Sequence, residues 1–184
     1  FTLDPATLDY VTGRLHALPD ALARGAASVA LWEAMLDGQV AVPRVQDALL
    51  QALPAETDEL NVQHMLGLLR SIYWRFTPAD ERGALAPRIE AIARTGLDRA
   101  KTTSLKAAWF GAFRGVATTP GAVEWLTAVW RRETTIPGLP LAEADETSLA
   151  LDLALRDVPD APAMLAAQRD RIGNPDRRAR FEFV

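Results

Sequence analysis

Residues 60–76 read LNVQHMLGLLRSIYWRF. Val62, Met65, Leu66, Leu69, Ile72, Tyr73 and Phe76 recur at the i, i+3, i+4, i+7 spacing that places them on one face of an α-helix, whereas a half-buried strand would alternate. One apolar stripe sustained over this length predicts a helix facing a core.

The same grammar repeats on both sides of this stretch. Asp4-Pro5 opens a helix carrying Leu8, Val11, Leu15 and Leu18, and Leu18-Pro19-Asp20 closes it and caps the next. That next helix runs to about Asp37, where Gly38 supplies the stop. A third spans about Val42 to Leu53, with Pro43 in its first turn and Pro54 just past its end. Downstream of Phe76, Thr77-Pro78 is expected to cap a helix that Pro87 either kinks or restarts near Ala86. A further helix covers Thr103 to Val116, with Leu105, Trp109, Ala112 and Val116 on one side. Thr119-Pro120 starts another, carrying Val123, Leu126, Val129 and Trp130. After the loop TTIPGLP come a helix to about Arg156, one opened by Asp160 and carrying Met164 and Leu165, and a terminal one opened by Asn174, Pro175 and Asp176.

The segment SLALDLALRD, 148–157, alternates leucine with other residues as a strand would. Alanine and leucine are strong helix formers, no β-branched residue interrupts them, and the acidic turn Glu143 to Glu146 suits a helix start. It reads as a helix apolar on much of its circumference, and so as one buried between layers.

No segment alternates convincingly as a strand. About ten helices joined by short Pro/Gly turns predict an all-α chain: an irregular α-α superhelix of HEAT/armadillo-like antiparallel helix pairs, at the roughly 35 to 45 residue period of such solenoids. A closed bundle is the other all-α architecture these connections permit. The 184 residues fit one helical-repeat domain, 1–184. Phe1 in place of Met, and apolar Phe181, Phe183 and Val184 at the other end, suggest an excised fragment of a larger multidomain protein.

Composition narrows the function classes. A hydrophobic fraction of 49% with 24% charged residues is ordinary for a globular protein, and no apolar run reaches the roughly 18 residues of a membrane span. A net charge of −4 gives no basic footprint for nucleic acid. The lack of cysteine removes thiol chemistry without separating cytoplasm from periplasm or an extracellular setting.

Motifs for catalysis are missing. The two histidines, His16 and His64, belong to no HExxH pair, and a zinc site needs three or four ligands. They read as residues at the edge of the core. Ser28, Ser71, Ser104 and Ser148 fall inside predicted helices without a neighbouring histidine, no GxSxG elbow occurs, and no phosphate-binding glycine loop is present. Glu143, Asp145 and Glu146 read as complements to a helix dipole. Trp109, Phe110, Phe113, Trp125 and Trp130 either pack between helices or line a peptide groove, with core packing favoured by their place on the stripes. Arg169, Arg171, Arg177, Arg178 and Arg180 form a solvated face or meet a carboxylate.

Three stretches take the reading further: LARGAASVALWEAMLDGQV at 22–40, SLKAAWFGAFRGVATTPGAVEWLTAVWRRE at 104–133 and IPGLPLAEADETSLALDLALRDVPDAP at 136–162, followed by NPDRRARFEFV. With the segment 52–76 they resemble, in the same order, the C-terminal helical domain of zinc aminopeptidases of the aminopeptidase N family, bacterial branch. In that family an HExxH zinc motif and a GxMEN-type motif sit in a separate catalytic domain, and neither motif occurs here. The resemblance therefore implies a non-catalytic part of a metallopeptidase that packs over the catalytic domain of the same parent chain, encloses its cavity, and helps to bind and size-select peptide substrates. Zinc in the parent would activate water there. In some relatives an arginine of the helical domain reaches the substrate pocket, and the matching candidates are Arg180 and then Arg177, one turn apart. The rival reading is a free-standing α-solenoid that binds a peptide or protein.

Overall fold

A computed structural model of the chain describes residues 3–156 and 158–183. The readings placed on Phe1, Asp157 and Val184 lie outside the described residues. Among the described residues the chain is all-α, with ten α-helices and no strand, only an isolated bridge between Ile136 and Leu139. It divides into two compact units, one extending to Val116 and one beginning at Ala117.

The N-terminal unit holds α1 (Pro5–Arg14), α2 (Ala21–Leu36), α3 (Val42–Ala52), α4 (Glu59–Ser71), α5 (Ala79–Arg99) and α6 (Thr103–Val116). Local chemistry sets most boundaries. Asp4 and Asp20 accept hydrogen bonds from the free N–H groups at the starts of α1 and α2. Gly38, at φ 72°, ends α2 in a Schellman arrangement, with Gly38 N–H donating to Met35 O and Gln39 N–H to Ala34 O. Neighbouring helices then pack in pairs, α1 on α2, α2 on α3 and α5 on α6, with α4 also lying against α2 and α6. Val62, Met65, Leu66, Leu69, Ile72 and Tyr73 form the centre of the core, as their spacing predicts.

The stripe fails at its last member. After Ser71 the chain enters a π-helical turn, Ile72–Phe76, closed by Thr77 N–H donating to Ile72 O at 2.9 Å. One extra residue in the turn shifts the helical phase by about 100°, so Phe76 leaves the core face and is 38% exposed, its ring edge against Trp32. Thr77 also donates its hydroxyl to Ile72 O; it finishes this turn instead of capping α5, whose N-cap position, Pro78, offers no side-chain acceptor. The carbonyls of Tyr73, Trp74 and Thr77 are collected by the Arg82 guanidinium, which also stands over the Trp74 ring. Of the two outcomes foreseen at Pro87, the helix does not restart: α5 continues through it.

The C-terminal unit holds α7 (Pro120–Trp130), α8 (Glu143–Ala154), α9 (Ala161–Arg171) and α10 (Pro175–Glu182). α8 packs on α7 and α9, and α9 on α10. Thr119 and Asn174 are N-caps as expected, but Asp160 adopts φ 67° and its side chain caps nothing. The disputed segment is helical. It is buried on one side only: Leu149, Ala150 and Leu153 are inside while Leu155 is 82% exposed, so α8 does not lie between layers within this unit. Trp130 Nε1 donates to Gln168 Oε1, and Gln168 Nε2 to Thr147 Oγ1, a satisfied buried chain that ties α7, α9 and α8 together.

No helix among the described residues is long and apolar enough to cross a membrane.

Candidate functional site

Arg177 and Arg180 lie one turn apart on α10, which Asn174 starts by accepting from Arg177 N–H and Pro175 stiffens at its first position. α10 is anchored beneath them. Gly173 N–H donates to Glu143 Oε2 at 2.9 Å, Arg177 Nε stands 3.4 Å from Glu143 Oε1, and Arg178 donates twice to Ile172 O. Glu143 thus spans the start of α8 and the start of α10. Its Oε1 makes the ion pair without hydrogen-bond geometry.

Two adjoining grooves open beside this anchor. The first, of about 280 Å³, is lined by Thr147, Ser148, Leu151, Arg177, Arg180 and Phe181 among others. The second, of about 650 Å³, shares Leu151 and Phe181 and adds Ala154, Leu155, Leu165 and Ala166, with Arg169 and Glu182 at its far rim. Together they form an apolar trough along α8, α9 and α10 with two arginines at one end. Arg169 is drawn to Asp170 and Glu182, Arg171 stacks on Trp130 and donates to its carbonyl, and Arg178 closes the α9–α10 turn. Arg180 makes no ion pair among the described residues.

The other candidates disperse. Ser148 and Thr147 spend their hydroxyl protons on the carbonyls of Ala144 and Glu143, and both histidines belong to the N-terminal unit, where they are exposed. Asp145 accepts from Ala142 N–H at the start of α8, the local role its position suggests. Glu146 goes further than the sequence indicates, accepting both arms of the Arg132 guanidinium at 2.8 Å while itself buried. That pair raises the Arg132 pKa, through the hydrogen bond first and the charge of Glu146 second; Arg132 itself sits at φ 63°, just past the end of α7. Trp109, Phe110, Phe113 and Trp130 are core side chains, and Trp125 is half-buried. The trough itself was invisible in the sequence, because Leu151, Leu165 and Phe181 meet only through tertiary packing.

The arrangement suits recognition. Apolar side chains of a ligand would cover the leucines and Phe181, and an arginine fork would take a carboxylate or carbonyl oxygen. The chain matches no family model and no curated protein. Fold and site together define an all-helical chain that carries an arginine-rimmed apolar trough.

Proposed function

We propose that this chain is the non-catalytic C-terminal helical domain of a zinc-dependent aminopeptidase, where it encloses the active-site cavity and helps to bind and size-select peptides. The observation that carries the reading is the trough, with its apolar floor and the Arg180 guanidinium at its end. In support, the stretches that resemble the aminopeptidase N family fall, in order, on α2, on α6 and α7, on α8 and on α10. Arg180 would meet an oxygen of the distal part of the peptide, and Arg177, already held by Glu143, would add to the local positive charge. The zinc belongs in this reading to the catalytic domain of the parent, with the HExxH motif of the family this chain resembles. The HEAT/armadillo-like repeat type belongs to the same proposal.

The source gene tests it directly. An in-frame HExxH with a downstream glutamate ligand ahead of Phe1 supports the reading; its absence overturns it in favour of a free-standing peptide-binding solenoid. In the full-length enzyme, Arg180→Glu is expected to raise KM for long peptides by roughly tenfold, the scale of one charge-assisted hydrogen bond, and to leave KM for an amino-acid amide unchanged. Unaltered KM for long peptides would remove Arg180 from the site.

A further inference from the structure

A larger cavity lies in the N-terminal unit, and it stands on observations independent of the trough. About 720 Å³ opens between the α3–α4 connection, the second half of α5 and the start of α6, within the roughly 300–1,000 Å³ of small-ligand pockets. Leu53, Ile92, Gly96, Leu105 and Trp109 form its floor. Leu53 and Trp109 are core residues as well, so the floor is set by the packing of the unit.

Four charged side chains stand around this floor: Glu56, Glu59, Arg99 and Lys101. The carboxylate of Glu56 is taken up by the Arg24 fork, and Glu59 accepts the Thr102 hydroxyl at 2.5 Å. Arg99 and Lys101 are exposed and make no ion pair among the described residues. Thr102 is neutral, so Glu59 keeps its charge, and the lining offers a ligand an apolar floor with two cations against one carboxylate, a net positive charge. We propose that this groove binds a single-chain anionic amphiphile, a free medium-chain carboxylate. The alkyl tail covers Leu53, Ile92, Leu105 and Trp109, and the head group meets Arg99 and Lys101. Tail burial supplies most of the affinity, because hydrated cations at a rim contribute little each; their role is to select the sign of the head group.

Isothermal titration of the full chain with sodium dodecanoate, below its micelle concentration and at neutral pH and low salt, tests the proposal. Saturable one-to-one binding is expected, weakened about tenfold in the R99E/K101E double variant. Thr95→Trp places an indole in the groove from an exposed position on α5 and is expected to abolish binding. Dodecyltrimethylammonium has the same tail and the opposite head group, and is expected to bind the double variant better than the native chain. If the charge reversals unfold the chain, R99Q/K101Q replaces them, with dodecanoate binding weakened in the same direction. The proposal is overturned by an absence of saturable binding, by equal affinity for the two head groups, or by unchanged affinity after the rim charges are removed. Binding of an apolar peptide without binding of dodecanoate overturns it too, and gives the groove to a polypeptide. The KM of an Arg180 variant is untouched by any of these outcomes.

Discussion

Glu56→Gln is expected to destabilise the N-terminal unit by about 3 kcal/mol, the cost of removing one partner from a buried ion pair. The Glu56 side chain is 0% exposed and accepts five hydrogen bonds: Arg24 Nε at 2.7 Å, Arg24 Nη2 at 2.8 Å, the N–H groups of Thr57 and Asp58 at 2.9 and 3.0 Å, and Asn61 Nδ2 at 3.2 Å. Glutamine has the same shape and the wrong chemistry. Its amide nitrogen must face one arm of the Arg24 fork, together with either the N–H groups of Thr57 and Asp58 or the Asn61 amide, donor against donor. Burial alone would push the Glu56 carboxyl up, but Arg24 first, then the N–H groups of Asp58 and Thr57 and the Asn61 amide, outweigh it and hold the pKa at about 2, down from 4.5. A lowered folded-state pKa means that the stabilisation is fully present above the unfolded value near 4.5 and is lost as pH falls through about 2. Urea unfolding at pH 7 and at pH 2.5 checks this. The native chain should lose stability between the two, the variant less so, and the gap between them should narrow at the acid end. Equal stability at pH 7 would show that the pair contributes nothing. On a melting curve the loss corresponds to roughly 6–12 °C for a chain of this size.

Nothing in ALPAETDEL marks Glu56 as the acid that goes inside; Glu59 and Asp58 are as acidic and as close to the helix start. The partner that selects it, Arg24, lies 32 positions away. Gln168 is similar, unremarkable in LAAQRDR until Trp130 and Thr147 close around it. By contrast, the helix starts at Asp4, Asp20, Thr119 and Asn174 depend on side chains reaching N–H groups two or three residues on, and such short-range chemistry is legible in a sequence. Periodicity likewise found the face of α4 and, at Trp109 and Val116, part of that of α6, where Leu105 and Ala112 are only half-buried, since a constant rotation per residue holds throughout a regular helix. It misplaced Phe76 where the π turn breaks that rotation, and it overfilled α8, where Leu155 shares the composition of a core residue but has no helix of this unit over it. The candidate site divides in the same way. Arg177 and Arg180 were legible as neighbours on one helix, while the apolar floor beside them required α8 and α9 to be in place.

Gly96→Ala is the second substitution with a large expected effect, and its sign is set by a contest of two terms. In a helix interior alanine is favoured over glycine by about 1 kcal/mol, so position 96 alone would gain from the change. A Cβ there would stand 2.3, 2.4 and 2.5 Å from Cδ2, Cε2 and Cε3 of Trp109, where carbon atoms at rest keep roughly 3.5–4.0 Å. The indole is 4% exposed and packed between α5 and α6, so it gives way only by turning out of that packing toward the groove it lines, or the two helices must part. Overpacking of this kind costs about 1–3 kcal/mol and occasionally more; contacts this short belong at the upper end, where the cost outweighs the propensity gain and leaves a net loss of roughly 2 kcal/mol. Measured by urea unfolding, Gly96→Val should lose more than Gly96→Ala. The decisive comparison is made in a Trp109→Leu background. That change destabilises the unit by itself, through the cavity it leaves, but it removes the ring the new methyl would strike. There Gly96→Ala should become neutral or stabilising, an inversion of sign that only a direct clash between these two residues produces. An unchanged cost in both backgrounds would mean that the close approach of α5 and α6 is not governed by Gly96 against Trp109.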